Sequence, residues 1–174
     1  MRPYQQQAVE GVFAAWTEFD RVLGVAPTGS GKTVQFAHVA ARRIRAGRVL
    51  ILVHREELLD QAHDKIARTV GLSADKEKAD DYASLSSDIV VASVQTLSRR
   101  NRLLRFPPNH FANVIIDEAH HVPAASYLGI LQHFNGAKVL GVTATPDRGD
   151  KKNLAAYFET VAFEITLTEL IKAG

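Results

Sequence analysis

The sequence contains no cysteine and no long apolar run. Without cysteine among its 174 residues, it offers no disulfide bonds and no thiolate ligands for a metal, which fits a reducing compartment. No stretch is apolar over the length that crosses a bilayer, and residues 1–5 are not followed by the apolar core of a signal peptide. We therefore expect a cytoplasmic protein with no membrane partner.

An excess of charge of one sign is also missing. The 21 Lys and Arg residues nearly balance the 19 Asp and Glu residues, and the formal net charge is only +2. Net charge alone is therefore weak support for a nucleic-acid partner. With 46% hydrophobic and 23% charged residues, the chain is long enough to bury one full core, and we expect a single domain over residues 1–174.

Strand-like apolar runs alternate along the chain with segments of helical spacing. This alternation predicts an α/β fold, with a parallel β-sheet and helices on both of its faces. Six strands are predicted, at residues 22–26, 49–54, 89–92, 114–117, 139–143 and 161–165.

Helices and connections follow from the same spacing. Three helices are predicted, over residues 4–19, from about Lys32 to a cap at Gly47, and over 58–70 before Gly71. The polar stretch 72–87 and the basic stretch 99–110 are predicted to be exposed connections.

The segment 26–33, Ala-Pro-Thr-Gly-Ser-Gly-Lys-Thr, follows the first predicted strand and opens a helix, as a phosphate-binding loop does. Its glycines let backbone N–H groups turn inward around phosphate oxygens, and the helix points its positive end at them. Lys32 can reach the β- and γ-phosphates, and the Thr33 hydroxyl can ligate Mg²⁺. Ala26 stands where the common pattern has Gly, so the match is to a variant. The predicted ATP-contacting residues of this loop are Thr28, Gly29, Ser30, Gly31, Lys32 and Thr33.

Two carboxylates, Asp117 and Glu118, end a buried-strand pattern. Ligands of open α/β sheets collect at the carboxyl ends of the strands, so both acids are expected near the phosphate loop. Asp117 is placed to hold Mg²⁺, and Glu118 to position or deprotonate the attacking water. Without the phosphate loop, the two acids could simply cap a helix. Together with the loop, they predict a catalytic set of Lys32, Asp117 and Glu118. His120 and His121 lack the i, i+4 spacing of a helical zinc pair.

Asp117-Glu-Ala-His120, together with the loop at 26–33, resembles the first, N-terminal RecA-like ATP-binding lobe of superfamily 2 DEAD/DEAH-type helicases and translocases. Four further segments extend the resemblance over nearly the whole chain. They look like the Q-type motif at 2–5, motif Ia at 53–61, the T-x-Q-type motif at 92–97 with Ser93 in place of the usual Thr, and motif III at 141–148. Motif III and the segment 163–174 look most like those of repair and transcription-factor DNA translocases and restriction-enzyme motor subunits.

The resemblance implies a RecA-like P-loop NTPase that couples Mg²⁺-dependent ATP hydrolysis to movement along DNA or RNA. It implies ATP contacts by Arg2 and by Gln5, whose carboxamide would select adenine. It assigns coupling of the ATP site to nucleic-acid movement to His120, Thr143 and Thr145. It assigns nucleic-acid contacts, mainly to backbone phosphates, to Arg55, Ser93, Gln95 and Thr96.

The resemblance also implies a second RecA-like lobe that brings an arginine finger, and nothing after Gly174 corresponds to that lobe. We expect it to come from a longer parent chain or a partner. A catalytically silent binding module is the main alternative; a small-molecule kinase lacks an evident acceptor site.

Several basic and polar residues keep a second interpretation. Gln5 could be a solvated residue of a first helical turn, and Arg55 a charged residue at a helix start. The arginines at 42, 43, 45 and 48 fit a solvated helix end, where the helix dipole favours cations. The arginines at 99, 100, 102 and 105 have no acid among them, and a stripe facing nucleic acid is one of two open readings.

Overall fold

The computed structural model describes residues 1–144 and 153–172, and in them seven strands form one sheet. The order is β3-β4-β2-β5-β6-β1-β7, and every neighbouring pair is parallel. The strands are β1 Arg21–Val25, β2 Val49–Val53, β3 Asp75–Glu77, β4 Ile89–Ser93, β5 Asn113–Asp117, β6 Lys138–Thr143 and β7 Thr160–Glu164. All six strands predicted from the sequence are present, displaced by at most one residue at either end.

Helices cover both faces of the sheet, as predicted. One face carries α1 Pro3–Ala15, α2 Lys32–Arg43 and α3 Glu56–Val70, and the other carries α4 Val94–Leu97, α5 Arg100–Leu103 and α6 Ala125–His133. A short 3₁₀ turn spans Ala119–His121, and a further helix spans Leu167–Lys172.

The central strand β2 shows why this sequence makes a two-sided sheet. All five of its residues are buried, and all five are apolar. Because side chains alternate along a strand, Leu50 and Leu52 pack on the face of α6, while Ile51 packs on the face of α2. An uninterrupted apolar run is the pattern of a parallel strand that is covered on both sides.

Helix α1 is fastened at its far end to the amino edge of the sheet. The indole N–H of Trp16, the residue after the helix, donates to the Val139 carbonyl at 3.2 Å. Lys138 Nζ in turn donates to the Trp16 carbonyl at 2.8 Å. The predicted helix over residues 4–19 therefore stops at Ala15, and the residues after it turn toward β6.

The prediction of a cap at Gly47 is wrong. Helix α2 ends at Arg43 with Ile44 as its capping residue. Gly47 lies three residues further on, at φ 141°, where a Cβ atom would stand 2.6 Å from Ala112 Cβ. The glycine is required by this close approach of two chain segments. Gly71, in contrast, caps α3 in the left-handed conformation, as predicted.

The two stretches predicted as exposed connections contain buried, ordered elements. Strand β3 lies inside residues 72–87 and pairs with β4 at the edge of the sheet. Its last residue, Glu77, is fully buried and accepts hydrogen bonds from Arg102 and Arg105 of the second stretch. Most residues of both stretches are exposed or half-buried, as predicted. The prediction missed β3 and the buried ion pair, because local sequence pattern does not reveal a pair between residues 25 positions apart.

Candidate active site

The phosphate loop connects β1 to α2 and has two glycines in the left-handed region. Gly29 has φ 86° and Gly31 has φ 82°, and Gly31 is the residue that caps α2. Within the described residues, the N–H groups of Gly29, Gly31 and Lys32 have no acceptor in the protein. Ser30 Oγ is likewise buried without a hydrogen-bond partner. These unpaired donors at a helix start fit the oxygens of a nucleotide phosphate.

Gln5 lies against this loop and is 6% exposed, so it is not a solvated residue of a first helical turn. Its Nε2 donates to the Ser30 carbonyl at 3.1 Å, and its Oε1 accepts from the Arg2 N–H at 2.9 Å. The Tyr4 hydroxyl donates to the same Ser30 carbonyl at 3.1 Å, a contact that the sequence did not predict. Two residues at the start of α1 therefore hold the loop through the carbonyl of Ser30. Contact of Arg2 with ATP, and of Gln5 with its adenine, stays a prediction.

The two acids lie at the carboxyl end of β5, on the same edge of the sheet as the loop. Lys32 Nζ is 3.9 Å from Glu118 Oε1. Burial raises the pKa of Asp117 to about 6, with a further contribution from the charge of Glu118, while Lys32 opposes the shift. Because ionisation of a buried carboxyl group is unfavourable, a cation beside it stabilises the charged form more strongly than it would at the surface.

Glu118 itself has a strained backbone. It adopts φ 53° and ψ 54°, in the left-handed region that residues other than glycine seldom occupy. Its N–H donates to Asp117 Oδ1 at 3.0 Å, which couples the two acids locally. Such strain is concentrated at functional sites.

The donor set fits Mg²⁺ held jointly with a nucleotide. Among the described residues, no three His, Asp or Glu side chains form a group that could hold a metal by themselves. Mg²⁺ is usually bound by one or two carboxylates together with substrate phosphates. Asp117, with the Thr33 hydroxyl at the start of α2, would supply the protein's share of such a site.

The structure brings together two of the three residues assigned to coupling. His120 Nδ1 is 3.0 Å from Thr143 Oγ1, at the end of β6, and 3.4 Å from Glu118 Oε2. Thr143 is 1% exposed. Thr145 lies outside the described residues. Coupling of the ATP site to nucleic-acid movement by His120, Thr143 and Thr145 stays a prediction.

The four residues predicted to contact nucleic acid fall into two groups. Arg55 and Gln95 are exposed and line a surface groove of about 540 Å³ together with Glu56. Ser93 and Thr96 are fully buried, and their hydroxyls donate to Glu56 Oε1 at 3.4 and 3.1 Å. These two hydroxyls are not available to a phosphate; they hold Glu56 at the groove. Contact by Arg55 and Gln95 stays a prediction.

The basic stripe considered for residues 99–105 is not a free surface. Arg102 is 3% exposed, and its Nε donates to Glu77 Oε1. The Arg105 guanidinium also bonds Glu77, with Nη1 2.9 Å from Oε2. Only Arg99 and Arg100 remain exposed, so a continuous basic face is excluded.

Three aromatic side chains beside the site were not predicted to have a function. The imidazole rings of His54 and His121 are stacked, with centroids 3.8 Å apart at an interplanar angle of 15°. The Tyr127 hydroxyl lies 3.4 Å from His54 Nδ1. Burial raises the pKa of the Tyr127 hydroxyl, which therefore keeps its proton. The only local signal for the stack was the doubled histidine at 120 and 121.

No helix within residues 1–144 and 153–172 is both long enough and apolar enough to cross a membrane.

Known proteins are similar to this chain in sequence and in fold. Residues 1–148 match the family described as type III restriction enzyme, res subunit. Irc3 of Schizosaccharomyces pombe, assigned as a mitochondrial ATP-dependent helicase, is 35% identical over 184 residues, which cover 99% of this chain and 30% of the relative. The DNA 3'-5' translocase XPB2 of Sulfurisphaera tokodaii is 32% identical over 159 residues, which cover 88% of this chain and 32% of the relative.

A solved structure supports the fold independently. The helicase domain of Hef from Pyrococcus furiosus matches with a TM-score of 0.76 at 20% identity, over 94% of this chain and 38% of the solved one. The chain spans about a third of the length of the relatives named above. It belongs to the family of the type III restriction enzyme res subunit and has the fold of the N-terminal RecA-like lobe of superfamily 2 helicases.

Proposed function

We propose that this chain is the ATP-binding lobe of a nucleic-acid-dependent ATPase, in which Mg²⁺-dependent hydrolysis of ATP drives movement along DNA. The observation that carries the proposal is the meeting of the phosphate loop and the acid pair, with Lys32 Nζ 3.9 Å from Glu118 Oε1. A silent binding module has no need of a lysine and two acids at one corner of the sheet. The translocase name of the Sulfurisphaera tokodaii relative supports DNA over RNA.

Each group has a separate task in this proposal. Lys32 supplies positive charge to the β- and γ-phosphates in both ground and transition states. Asp117 and Thr33 hold Mg²⁺, and Glu118 positions or deprotonates the attacking water. His120 and Thr143, with Thr145, report the state of the phosphate site to the nucleic-acid side. The nucleic-acid contacts of this lobe are Arg55 and Gln95, directed at backbone phosphates.

In this proposal a second RecA-like lobe completes the catalytic site by supplying an arginine finger. Where it has been measured, an arginine finger raises the rate of hydrolysis by a factor of about 10³–10⁵. The isolated lobe should therefore bind Mg²⁺·ATP weakly and hydrolyse it little, with or without DNA. Brisk DNA-stimulated turnover by residues 1–174 alone would contradict the need for a second lobe.

The test of the proposal compares Lys32→Ala with Glu118→Gln in the full-length natural protein that contains this lobe. Lys32→Ala should weaken ATP binding and abolish turnover, whereas Glu118→Gln should abolish turnover and leave binding nearly intact. Lys65→Ala, at an exposed lysine of α3, is the matched control and should behave like wild type. Equal loss of ATP affinity in both site variants would contradict the assigned tasks, and wild-type protein without ATPase activity would support the silent module.

The place of action is a second part of the proposal. The cysteine-free sequence suits a reducing compartment, and we propose the cytoplasm. The mitochondrial assignment of Irc3 offers the alternative. Fractionation of cells that express the tagged full-length protein distinguishes the two.

A further inference from the structure

Four ring side chains form a continuous series that leads from the acid pair, past the residue before the start of α3, to the core. His120 and His121 are neighbours in the chain, with ring centroids 4.1 Å apart. His121 is stacked on His54 at 3.8 Å, and the ring of Tyr127 follows at 6.4 Å, within 16° of the plane of His54. The proposed function uses only the first of these four rings.

One end of the series contacts the ATP site. His120 Nδ1 is 3.4 Å from Glu118 Oε2, and Glu118 Oε1 is 3.9 Å from Lys32 Nζ. His120 and His121 share one short 3₁₀ turn, Ala119–His121, which begins directly after the strained residue Glu118. A turn of three residues has little internal freedom, so a change in the backbone of Glu118 moves both imidazoles together.

The third ring of the series, His54, is linked through the backbone to the surface groove that Arg55 and Gln95 line. His54 is the first residue after β2, and the next residue, Arg55, caps the start of α3 and lines the groove. A lateral shift of the His54 ring therefore acts on the backbone that places the Arg55 side chain.

Tyr127 gives the series a fixed reference. It is a residue of α6, is 1% exposed and belongs to the apolar core, and its hydroxyl lies 3.4 Å from His54 Nδ1. His54 is thus held between a ring fixed in the core and a ring attached to the turn after the acid pair. Two alternative positions of His121 would give two alternative positions of the start of α3.

We propose that His54 and His121 are positioning residues that couple the nucleotide state at Glu118 to the affinity of Arg55 for nucleic acid. The inference rests on the proposed function and adds to it a route that leaves the ATP site by the stack, separate from the contact between His120 and Thr143. Spatial continuity alone does not establish coupling, so the test measures the coupling itself.

The experiment measures the dissociation constant for a fluorescently labelled DNA oligonucleotide, with and without the non-hydrolysable analogue AMP-PNP and Mg²⁺, in the full-length natural protein. The ratio of the two constants is the coupling factor. His121→Ala removes the stack, and His121→Phe keeps a stacking ring but no ring nitrogen. His38→Ala, at a partly buried histidine of α2, is the matched control.

We expect the coupling factor to fall at least fivefold in His121→Ala and in His54→Ala, and to fall no further in the double variant. His121→Phe should recover most of the coupling factor, and the control should keep all of it. A merely structural role would give additive losses, with the melting temperature following the coupling factor.

Three outcomes would overturn the inference: unchanged coupling in His121→Ala, a loss in His121→Phe as large as in His121→Ala, or additive losses in the double variant. Failure of the proposed function has a different signature. There, wild-type protein would bind no AMP-PNP, or would bind DNA with one affinity in both conditions.

Discussion

Glu77 and Arg102 form a fully buried ion pair that joins the edge strand β3 to the short helix α5. Glu77 is 0% exposed and Arg102 is 3% exposed. Arg102 Nη1 also donates to the Ala79 carbonyl at 2.7 Å, so one guanidinium holds both the strand and the loop that follows it. The exposed ring of Tyr82 lies over the same guanidinium, 3.8 Å from its carbon to the ring centroid.

Glu77→Gln should destabilise the chain by about 3 kcal/mol, because it leaves the charge of Arg102 buried without a counter-ion. The free energy of unfolding in urea measures the loss. Glu10→Gln is the control, since it breaks the exposed Glu10–Arg42 pair at 2.7 Å and should cost less than about 1 kcal/mol. Similar small losses in both variants would show that the buried pair is not a major source of stability.

Gly31→Ala and Gly29→Ala should separate two requirements of the phosphate loop, a positive φ angle and space beside Gln5. Both residues have positive φ, so each substitution should cost about 1–2 kcal/mol of unfolding free energy. Only at Gly31 would the new Cβ also collide with Gln5 Nε2, whereas Gly29 has open space. Calorimetry should therefore show a lower melting temperature for Gly31→Ala. Equal melting temperatures would mean that Gln5 moves away from the loop at little cost.

Gln5→Ala should reduce the preference for ATP over GTP. A carboxamide offers both a donor and an acceptor to the edge of adenine, and the packing of Gln5 against Ser30 holds it beside the loop. Competition between the two nucleotides for the protein measures the preference, and Gln6→Ala, at an exposed neighbour on α1, is the control. If the preference survives in Gln5→Ala, the glutamine only supports the loop.

Stability should depend on Asp60 at acidic pH. Hydrogen bonds from Lys76 and Lys78 lower the pKa of Asp60 from 3.8 to about 2. A lowered folded-state pKa contributes stability that is complete above pH 4 and is lost as the pH falls toward 2. Because the carboxylate is 47% exposed, screening limits the contribution to about 1 kcal/mol or less.

Asp60→Asn should therefore lower the unfolding free energy at pH 7 and have little effect at pH 2. Asp80→Asn, at an exposed aspartate after β3, is the control and should leave the pH profile unchanged. A profile for Asp60→Asn that runs parallel to that of wild type down to pH 2 would contradict the assignment.

The sequence predicted the features that neighbouring residues encode. The apolar run of β2 and the glycines of the phosphate loop are such features, because strand burial and left-handed turns leave local signatures. The burial of Ser93 and Thr96 was not predictable, since it depends on Glu56, 37 and 40 positions away. Strand β3 was not predicted because its sequence, Asp-Lys-Glu, is wholly charged. The arginines of another segment make the burial of its last residue, Glu77, possible.

Helix α1 is tethered at both ends, and this makes the nucleotide site sensitive to the opposite edge of the molecule. Gln5 and Tyr4 hold the phosphate loop at one end, and Trp16 bonds Val139 at the other. The helix has 13 residues, from Pro3 to Ala15, and acts as a strut about 20 Å long. Damage to the Trp16 anchor would tilt this strut and pull Gln5 off Ser30, so ATP affinity would fall although no residue near the phosphates had changed.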